Sequence, residues 1–168
     1  MNIQWRDVRD PSAELHLHET MTFPNIVKEI GHVVAMSPVE VDLCASMHDD
    51  SCYVRGTLSA DVTYRCSRCL QEFVERLDVP FCERFVKAAQ EVVDDEDERI
   101  AVVGEEIDLE PWMEQAIILA LPYRPLCEQE CAGLCPVCGM NRNESSCNCN
   151  DERIDPRLAD LAKFFEQN

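Results

Sequence analysis

Six of the chain's eleven cysteines fall between residues 127 and 149, spaced Cys127-x3-Cys131-x3-Cys135-Pro-x-Cys138-Gly and then Cys147-x-Cys149. Thiolates spaced this closely are soft ligands that can surround one ion tetrahedrally, which is the chemistry of a metal clamp rather than of a catalytic centre. Cys135 and Cys138 form the first ligand pair. Pro136 stiffens the turn between them, and Gly139 supplies the positive φ that lets backbone N–H groups approach the sulfurs. The second pair is either Cys147 with Cys149 or Cys127 with Cys131. Cys147 and Cys149 are preferred, because residues 140–146 then close on themselves as a ribbon; Cys127 and Cys131 are the alternative ligands or those of a second metal. Four thiolates around one Zn²⁺ leave a charge of −2, and six around two leave the same.

Disulfides are the competing explanation of clustered cysteines. The opening Met1-Asn-Ile-Gln-Trp-Arg-Asp7 lacks the basic start and apolar run of a secretory signal, and no stretch reaches the roughly 20 apolar residues of a membrane span. The chain is therefore expected to be cytoplasmic, where thiols stay reduced and clustered cysteines more often hold metal. Zinc is the expected ion, although four-cysteine ligation does not by itself exclude an iron–sulfur cluster.

A second Cys-x2-Cys, Cys66-Ser-Arg-Cys69, ends a strand pattern. Three readings apply, in order of preference. The pair can shape a hairpin turn, form a metal half-site completed by other cysteines of the fold or of a second subunit, or act as a redox dithiol. The last needs a low-pKa sulfur at a helix N-terminus, and Leu70-Gln-Glu-Phe-Val-Glu-Arg-Leu77 reads as strand rather than helix.

The elements that must position these cysteines are readable from periodicity. Val54, Leu58, Ala60, Val62 and Tyr64 alternate with Arg55, Thr57, Ser59, Asp61 and Thr63, the pattern of a half-buried antiparallel strand. Val39, Val41, Leu43 and Ala45 alternate upstream, with turn residues His48-Asp-Asp-Ser51 between the two segments. Phe73, Leu77, Val79 and Phe81 predict a third strand running back along the second. Six of the eight residues from Glu91 to Glu98 are acidic, which predicts a solvated loop. A short strand at Ile100-Ala-Val-Val103 and a helix near 109–121 follow. Asp108 is placed to cap the helix, Pro111 falls in its first turn, and Trp112, Ala116 and Leu119 form its packing stripe, with Ile117 and Leu121 nearby. Asp155-Pro-Arg157 then caps a C-terminal helix carrying Leu158, Leu161, Ala162 and Phe165, a stripe expected to dock on the domain. Cys44, Cys52 and Cys82 read as small core residues.

The fold class expected is α+β. Residues 1–122 form an antiparallel β-meander with a packed helix and an acidic loop near 88–99; residues 123–151 form a Cys-rich zinc-binding segment, and 152–168 a short C-terminal helix.

Charge restricts function. With 33 acidic against 15 basic residues the formal net charge is −18, which argues against general nucleic-acid binding; any RNA contact must be local or made through a protein partner. Arg55 and Arg65 share one alternation face, with Arg68 in the turn and Arg76 on the next strand. Together they are a candidate partner-binding patch for phosphates or carboxylates, against the alternative that they pair with Asp61, Glu72, Glu75 and Asp78 on the same sheet. His16 and His18 alternate on a strand face. No phosphate-binding glycine loop or Gly-x-Ser-x-Gly is present, and a four-cysteine zinc site has no open position for water, so neither an enzyme nor a small-molecule substrate is expected.

The combination of motifs resembles the YceD family, the large ribosomal RNA subunit accumulation proteins, over nearly the whole length. The resemblance rests on Cys66-Ser-Arg-Cys69-Leu70, on Ile107-Asp-Leu109 leading into Ile117-Ile-Leu-Ala-Leu-Pro122, and on Cys127-x3-Cys131-Ala-Gly-Leu-Cys135-Pro-Val-Cys138-Gly-Met-Asn141. Cys147-Asn-Cys149 and Asp155-Pro-Arg-Leu158 complete it. Asn141-Arg-Asn143 departs from the Asn-Leu-Asn expected there. The resemblance implies a bacterial or organelle-derived factor needed for accumulation of large-subunit ribosomal RNA. Its partner would be the RNA precursor or a ribosomal or assembly protein, and no catalytic residues carry over. The rival expectation, from another class, is a thiol–disulfide or redox-sensing protein using Cys66 and Cys69.

Overall fold

The computed structural model describes residues 1–9, 14–88 and 99–149. The acidic loop and the C-terminal helix expected beyond residue 151 lie outside the described residues. Along the chain run β1 (Asn2–Gln4), β2 (Leu15–Met21), α1 (Pro24–Glu29), β3 (Val33–Met36), β4 (Val39–His48), β5 (Ser51–Arg65), β6 (Glu72–Lys87), β7 (Arg99–Val102), β8 (Glu106–Asp108) and α2 (Glu110–Ala120). The molecule is mixed α+β, mostly strands.

The three strands expected from alternation are β4, β5 and β6, paired antiparallel in sequence order. Asp49 and Asp50 both adopt positive φ, 44° and 61°, closing the two-residue turn that joins β4 to β5. Val39, Val41, Leu43 and Ala45 of β4, and Val54, Leu58 and Ala60 of β5, are buried in the main core with Val79 and Phe81 of β6. Val62 and Tyr64 form a smaller cluster with Val33. The β5–β6 ladder runs unbroken from Ser51↔Val86 to Arg65↔Glu72. Its far end leaves residues 66–71 as the tip, and this ladder carries Cys66 and Cys69 to their place.

β2 pairs with the outer edge of β4, β7 runs parallel to β6, and β3 pairs with the distal part of β5. β1 and β8 make a separate two-stranded ribbon whose paired Ile3 and Ile107 are both buried in the main core. Periodicity missed β1 and β8, because three residues are too few to display a period of two.

Helix α2 begins at Glu110, one residue beyond the expected start. Asp108 lies in β8, and its carboxylate accepts a hydrogen bond from the Glu110 N–H at 3.1 Å, while the cap position itself is Leu109. The expected packing stripe needs correction. Met113 and Ile117 are the buried residues of α2, Trp112 and Ala116 pack at the margin, and Leu119 is 77% exposed. Residues four apart share a helix face, so burial of 113 and 117 turns 119 outward. Two of the three cysteines read as core residues also need correction. Cys52 is buried, but Cys44 is half-buried and Cys82 exposed. Their neighbours Leu43, Ala45 and Phe81 take the inward positions, and the pleat turns the intervening residue out.

Candidate metal centres

The structure gathers eight cysteines into two groups of four, Cys66, Cys69, Cys127, Cys131 and Cys135, Cys138, Cys147, Cys149, and each group could hold a metal ion. Within each, the four sulfurs lie within 4.8 Å of one another. The preferred set from spacing is the second group. The first joins the Cys127 and Cys131 pair to the Cys66 and Cys69 pair, the half-site reading ranked second from sequence.

Each group is built on a knuckle of the same design. In the first, the Leu70 N–H donates to the Cys66 carbonyl at 3.0 Å, and Leu70 takes a φ of +63°. In the second, the Gly139 N–H donates to the Cys135 carbonyl at 2.8 Å with φ at +74°. The turn geometry of Cys66 and Cys69 is therefore compatible with the half-site reading. Leucine pays sterically for a conformation that glycine adopts freely.

The partners arrive from the segment after α2. Cys66 Sγ stands 3.8 Å from Cys131 Sγ and Cys69 Sγ 3.5 Å from Cys127 Sγ. Tetrahedral zinc with Zn–S near 2.3 Å requires sulfur–sulfur edges of about 3.8 Å, whereas a disulfide needs about 2.05 Å. All eleven cysteines are free thiols. Cys66, Cys69 and Cys131 are buried, packed with Phe73, Leu126 and Leu134.

Hydrogen bonds seat the segment on the hairpin tip. Ser67 N–H donates to the Pro125 carbonyl at 2.8 Å, Leu134 N–H to the Arg68 carbonyl at 3.1 Å, and an Arg68 guanidinium nitrogen to the Cys131 carbonyl at 2.8 Å. The ribbon after the second knuckle closes through Cys135 N–H to the Met140 carbonyl at 2.8 Å and the Leu134↔Asn141 bridge. Sequence reasoning passed over four polar residues around the knuckles, one of which, Asn143, donates directly to a sulfur. Asn143 Nδ2 donates to Cys131 Sγ at 3.3 Å while its Oδ1 accepts from the Ala132 N–H at 2.7 Å, and Gln71 Nε2 and Asn141 Nδ2 both donate to Glu144 Oε1. The Asn141-Arg-Asn143 turn pattern was the available signal.

The electrostatics of the two groups are alike. Burial pushes the Cys66 thiol up, but backbone donors at Cys127, Cys69 and Arg68 outweigh it and bring its pKa down to about 6. Backbone donors at Cys138 and Val137 bring Cys135 down to about 6. Burial, followed by its neighbours Cys69, Cys66 and Cys131, pushes Cys127 up to about 12; Cys138, followed by burial, pushes Cys149 up to about 12. One thiolate forms readily in each group and a crowded neighbour resists a second, a conflict that a bound cation resolves.

A third group, Glu14, His16 and Cys44, lies on the outer edge of the sheet. It fits a metal less well, since Glu14 is already paired with Arg55 at 3.1 Å. Burial, and then the Glu14 carboxylate, raise the Cys44 thiol pKa. His18 is exposed on the same strand.

The four candidate arginines do not form a free cationic patch. Arg55 pairs with Glu14, Arg65 with Glu72 at 3.5 Å, and Arg76 with Glu40, Asp61 and Asp78 at 3.1, 3.8 and 3.4 Å. Arg68 is committed to the Cys131 carbonyl. Of the acidic partners read from sequence, Asp61, Glu72 and Asp78 pair with these arginines and Glu75 is not among the ion pairs of the described residues, while Glu14 and Glu40 join from neighbouring segments.

Among the described residues no helix is long and apolar enough to cross a membrane. The family described as "Large ribosomal RNA subunit accumulation protein YceD" matches residues 54–165, which include both knuckles and all eight clustered cysteines. An uncharacterized protein of Mycobacterium tuberculosis (strain ATCC 25618 / H37Rv) is 35% identical over 160 residues, 94% of this chain and 77% of that protein. The uncharacterized protein YlbN of Bacillus subtilis (strain 168) is 26% identical over 159 residues, 94% of this chain and 92% of its own length. The chain is also similar to large ribosomal RNA subunit accumulation protein YCED homolog 1, chloroplastic, of Arabidopsis thaliana, 31% identical over 62 residues, 37% of this chain and 19% of that protein. No solved structure matches.

Proposed function

The chain belongs to the family of large ribosomal RNA subunit accumulation proteins, YceD, and from that premise we propose that it is a non-enzymatic ribosome-biogenesis factor. In this reading it supports the accumulation, processing or stability of large-subunit ribosomal RNA in the cytoplasm. Its partner is the RNA precursor or a protein bound to it. The sheet and α2 serve as a scaffold, and two zinc ions clamp residues 123–149 to the tip of the β5–β6 hairpin.

The observation that carries this reading is the joining of Cys66 and Cys69 with Cys127 and Cys131, sulfurs 3.5 to 3.8 Å apart. Zinc suits an all-thiolate tetrahedron, and four protein ligands leave no coordination position for an activated water. Such a site holds structure. On its two knuckles Leu70, Val137 and Met140 are exposed apolar residues, and Arg142 is exposed. The redox alternative is not favoured. Cys66 has the lowered pKa of a reactive thiol, yet it faces three more sulfurs in a buried cluster rather than a solvent-facing partner.

Two measurements test the proposal. Elemental analysis of protein purified without chelator should give about two zinc per chain, one for each four-cysteine group. Cys66→Ser/Cys69→Ser and Cys135→Ser/Cys138→Ser should each lose about one. Cells lacking the chain should show a reduced ratio of large- to small-subunit ribosomal RNA, restored by the wild type and not by either double variant. A normal ratio in the deletion strain would refute the ribosomal role, and metal-free wild type with turnover of a model disulfide would put the redox reading in its place.

A further inference from the structure

The loop between Cys138 and Cys147 lies within the second cysteine group along the chain, yet two of its side chains reach the first. Asn143 Nδ2 donates to Cys131 Sγ at 3.3 Å, and Asn143 Oδ1 accepts the Ala132 N–H at 2.7 Å. A backbone N–H can only donate, so the Ala132 bond fixes which end of the amide faces the sulfur. Glu144 Oε1 accepts from Gln71 Nε2 at 2.6 Å, just past the Cys69 knuckle. Arg142 turns the other way: its Nη2 donates to Cys135 Sγ at 3.8 Å and its N–H to the Gly133 carbonyl at 2.9 Å. Adjacent residues of one loop therefore donate to one sulfur in each group.

An N–H aimed at a sulfur favours the thiolate, and the thiolate is the metal ligand. Cys131 is buried, so this donor comes from the protein rather than from water. Asn143 itself is exposed, and its N–H and Nδ2 are held by Asn141 Oδ1 at 3.1 and 2.9 Å, inside the same loop. An ion shared by Cys138 and Cys147 pins both ends of that loop. Without it, ordering the loop to present one amide costs chain entropy.

We propose that metal at the second group tightens metal at the first, with Asn143 as the positioning residue that carries the coupling. The inference rests on the two-metal reading above and adds to it that the clamp fills cooperatively. Groups that orient metal ligands from outside are worth about 10- to 100-fold in affinity, and one neutral donor belongs at the lower end, about tenfold. Linkage makes the effect reciprocal, so metal at the first group tightens the second by the same factor. Empty and doubly loaded chains are then favoured over singly loaded ones about tenfold relative to independent sites.

The test uses the full chain, reduced and loaded with zinc, which a competing chelator withdraws. The amide signals of Leu70 and Gly139, which close the two knuckles, report the first and second groups separately. Cys135→Ser/Cys138→Ser still fills its first group but should surrender that zinc at about tenfold less chelator than the wild type. Asn143→Ala keeps all eight cysteines and should remove most of this difference, while adding it to the serine variant should change little further. Asn143→Asp keeps an acceptor for the Ala132 N–H but sets a carboxylate against Cys131 Sγ, so it should weaken the first group at least as much as alanine does. Wild-type affinity in the aspartate variant, an equal loss from Asn143→Ala in both backgrounds, or a first group indifferent to the serine substitutions would each overturn the proposal. A wild type that holds no zinc sinks the two-metal reading and the coupling with it, whereas two zinc ions withdrawn independently sink the coupling alone.

Discussion

Gly133 lies directly against Arg68: a Cβ at Gly133 would stand 3.1 Å from the Arg68 carbonyl oxygen and 3.2 Å from the Arg68 Cβ. Gly133 also has a φ of +72°, and its carbonyl accepts the Arg142 N–H at 2.9 Å. The Gly133–Leu134 step passes between the two cysteine groups, and the same Arg68 carbonyl accepts the Leu134 N–H. The two centres are therefore mechanically coupled through one backbone crossing.

Gly133→Ala should separate the two knuckles. A side chain at positive φ costs about 1–2 kcal/mol, and the tight contact adds to it. Release of metal to a chromogenic chelator should be several-fold faster from the first cysteine group, with little change in the sheet's circular dichroism. Arg68→Met, which removes the bond to the Cys131 carbonyl, should act in the same direction, whereas Arg76→Met should not. Equal release rates for all three variants would refute the coupling.

Chelation should loosen the cysteine segment and spare the sheet. The main core contains none of the eight clustered cysteines, while the cluster around Cys66, Cys69 and Cys131 has only a few apolar neighbours. After metal removal, hydrogen exchange at Leu134, Cys135 and Arg142 should rise by orders of magnitude, because their N–H bonds depend on the clamped ribbon. Amides of β4 and β5 should keep their protection. Global unfolding on chelation would show instead that the sheet depends on the metals.

Helix α2 offers a packing test. Met113→Ala should cost about 2–4 kcal/mol in urea unfolding, since Met113 is fully buried against the sheet. Leu119→Ala, at the opposite extreme of exposure, should stay within about 0.5 kcal/mol. Comparable losses would mean that Leu119 is covered in solution.

Alkaline stability should fall in a defined window. Burial raises the Cys52 thiol from 9.0 to about 11, and burial, followed by the Glu75 charge, raises the Tyr64 phenol from 10.0 to about 12. For both groups the folded pKa exceeds the unfolded one, so the neutral forms contribute stability that is complete below about pH 9. That stability is lost as the pH rises through about 11 and then 12. Urea midpoints measured at pH 8, 10 and 11 should decline, and Cys52→Ala should flatten the earlier part of the decline relative to its own value at pH 8. A flat profile in the wild type would contradict it.

The sequence by itself determined the features that depend on short-range pattern. Alternation located β4, β5 and β6 because a strand repeats every two residues, and Cys135-Pro-Val-Cys138-Gly139 declared its knuckle because both sulfurs and the positive φ lie within five consecutive positions. The family strings were likewise contiguous. Tertiary structure alone decided that Cys66 meets Cys131 and Cys69 meets Cys127, residues 65 and 58 positions apart. That meeting depends on the path of β6, β7, β8 and α2, and no local period encodes where a chain returns. The pairing of Arg76 with Glu40 and the outward turn of Leu119 and Cys82 have the same origin, because burial and contact are relations between segments.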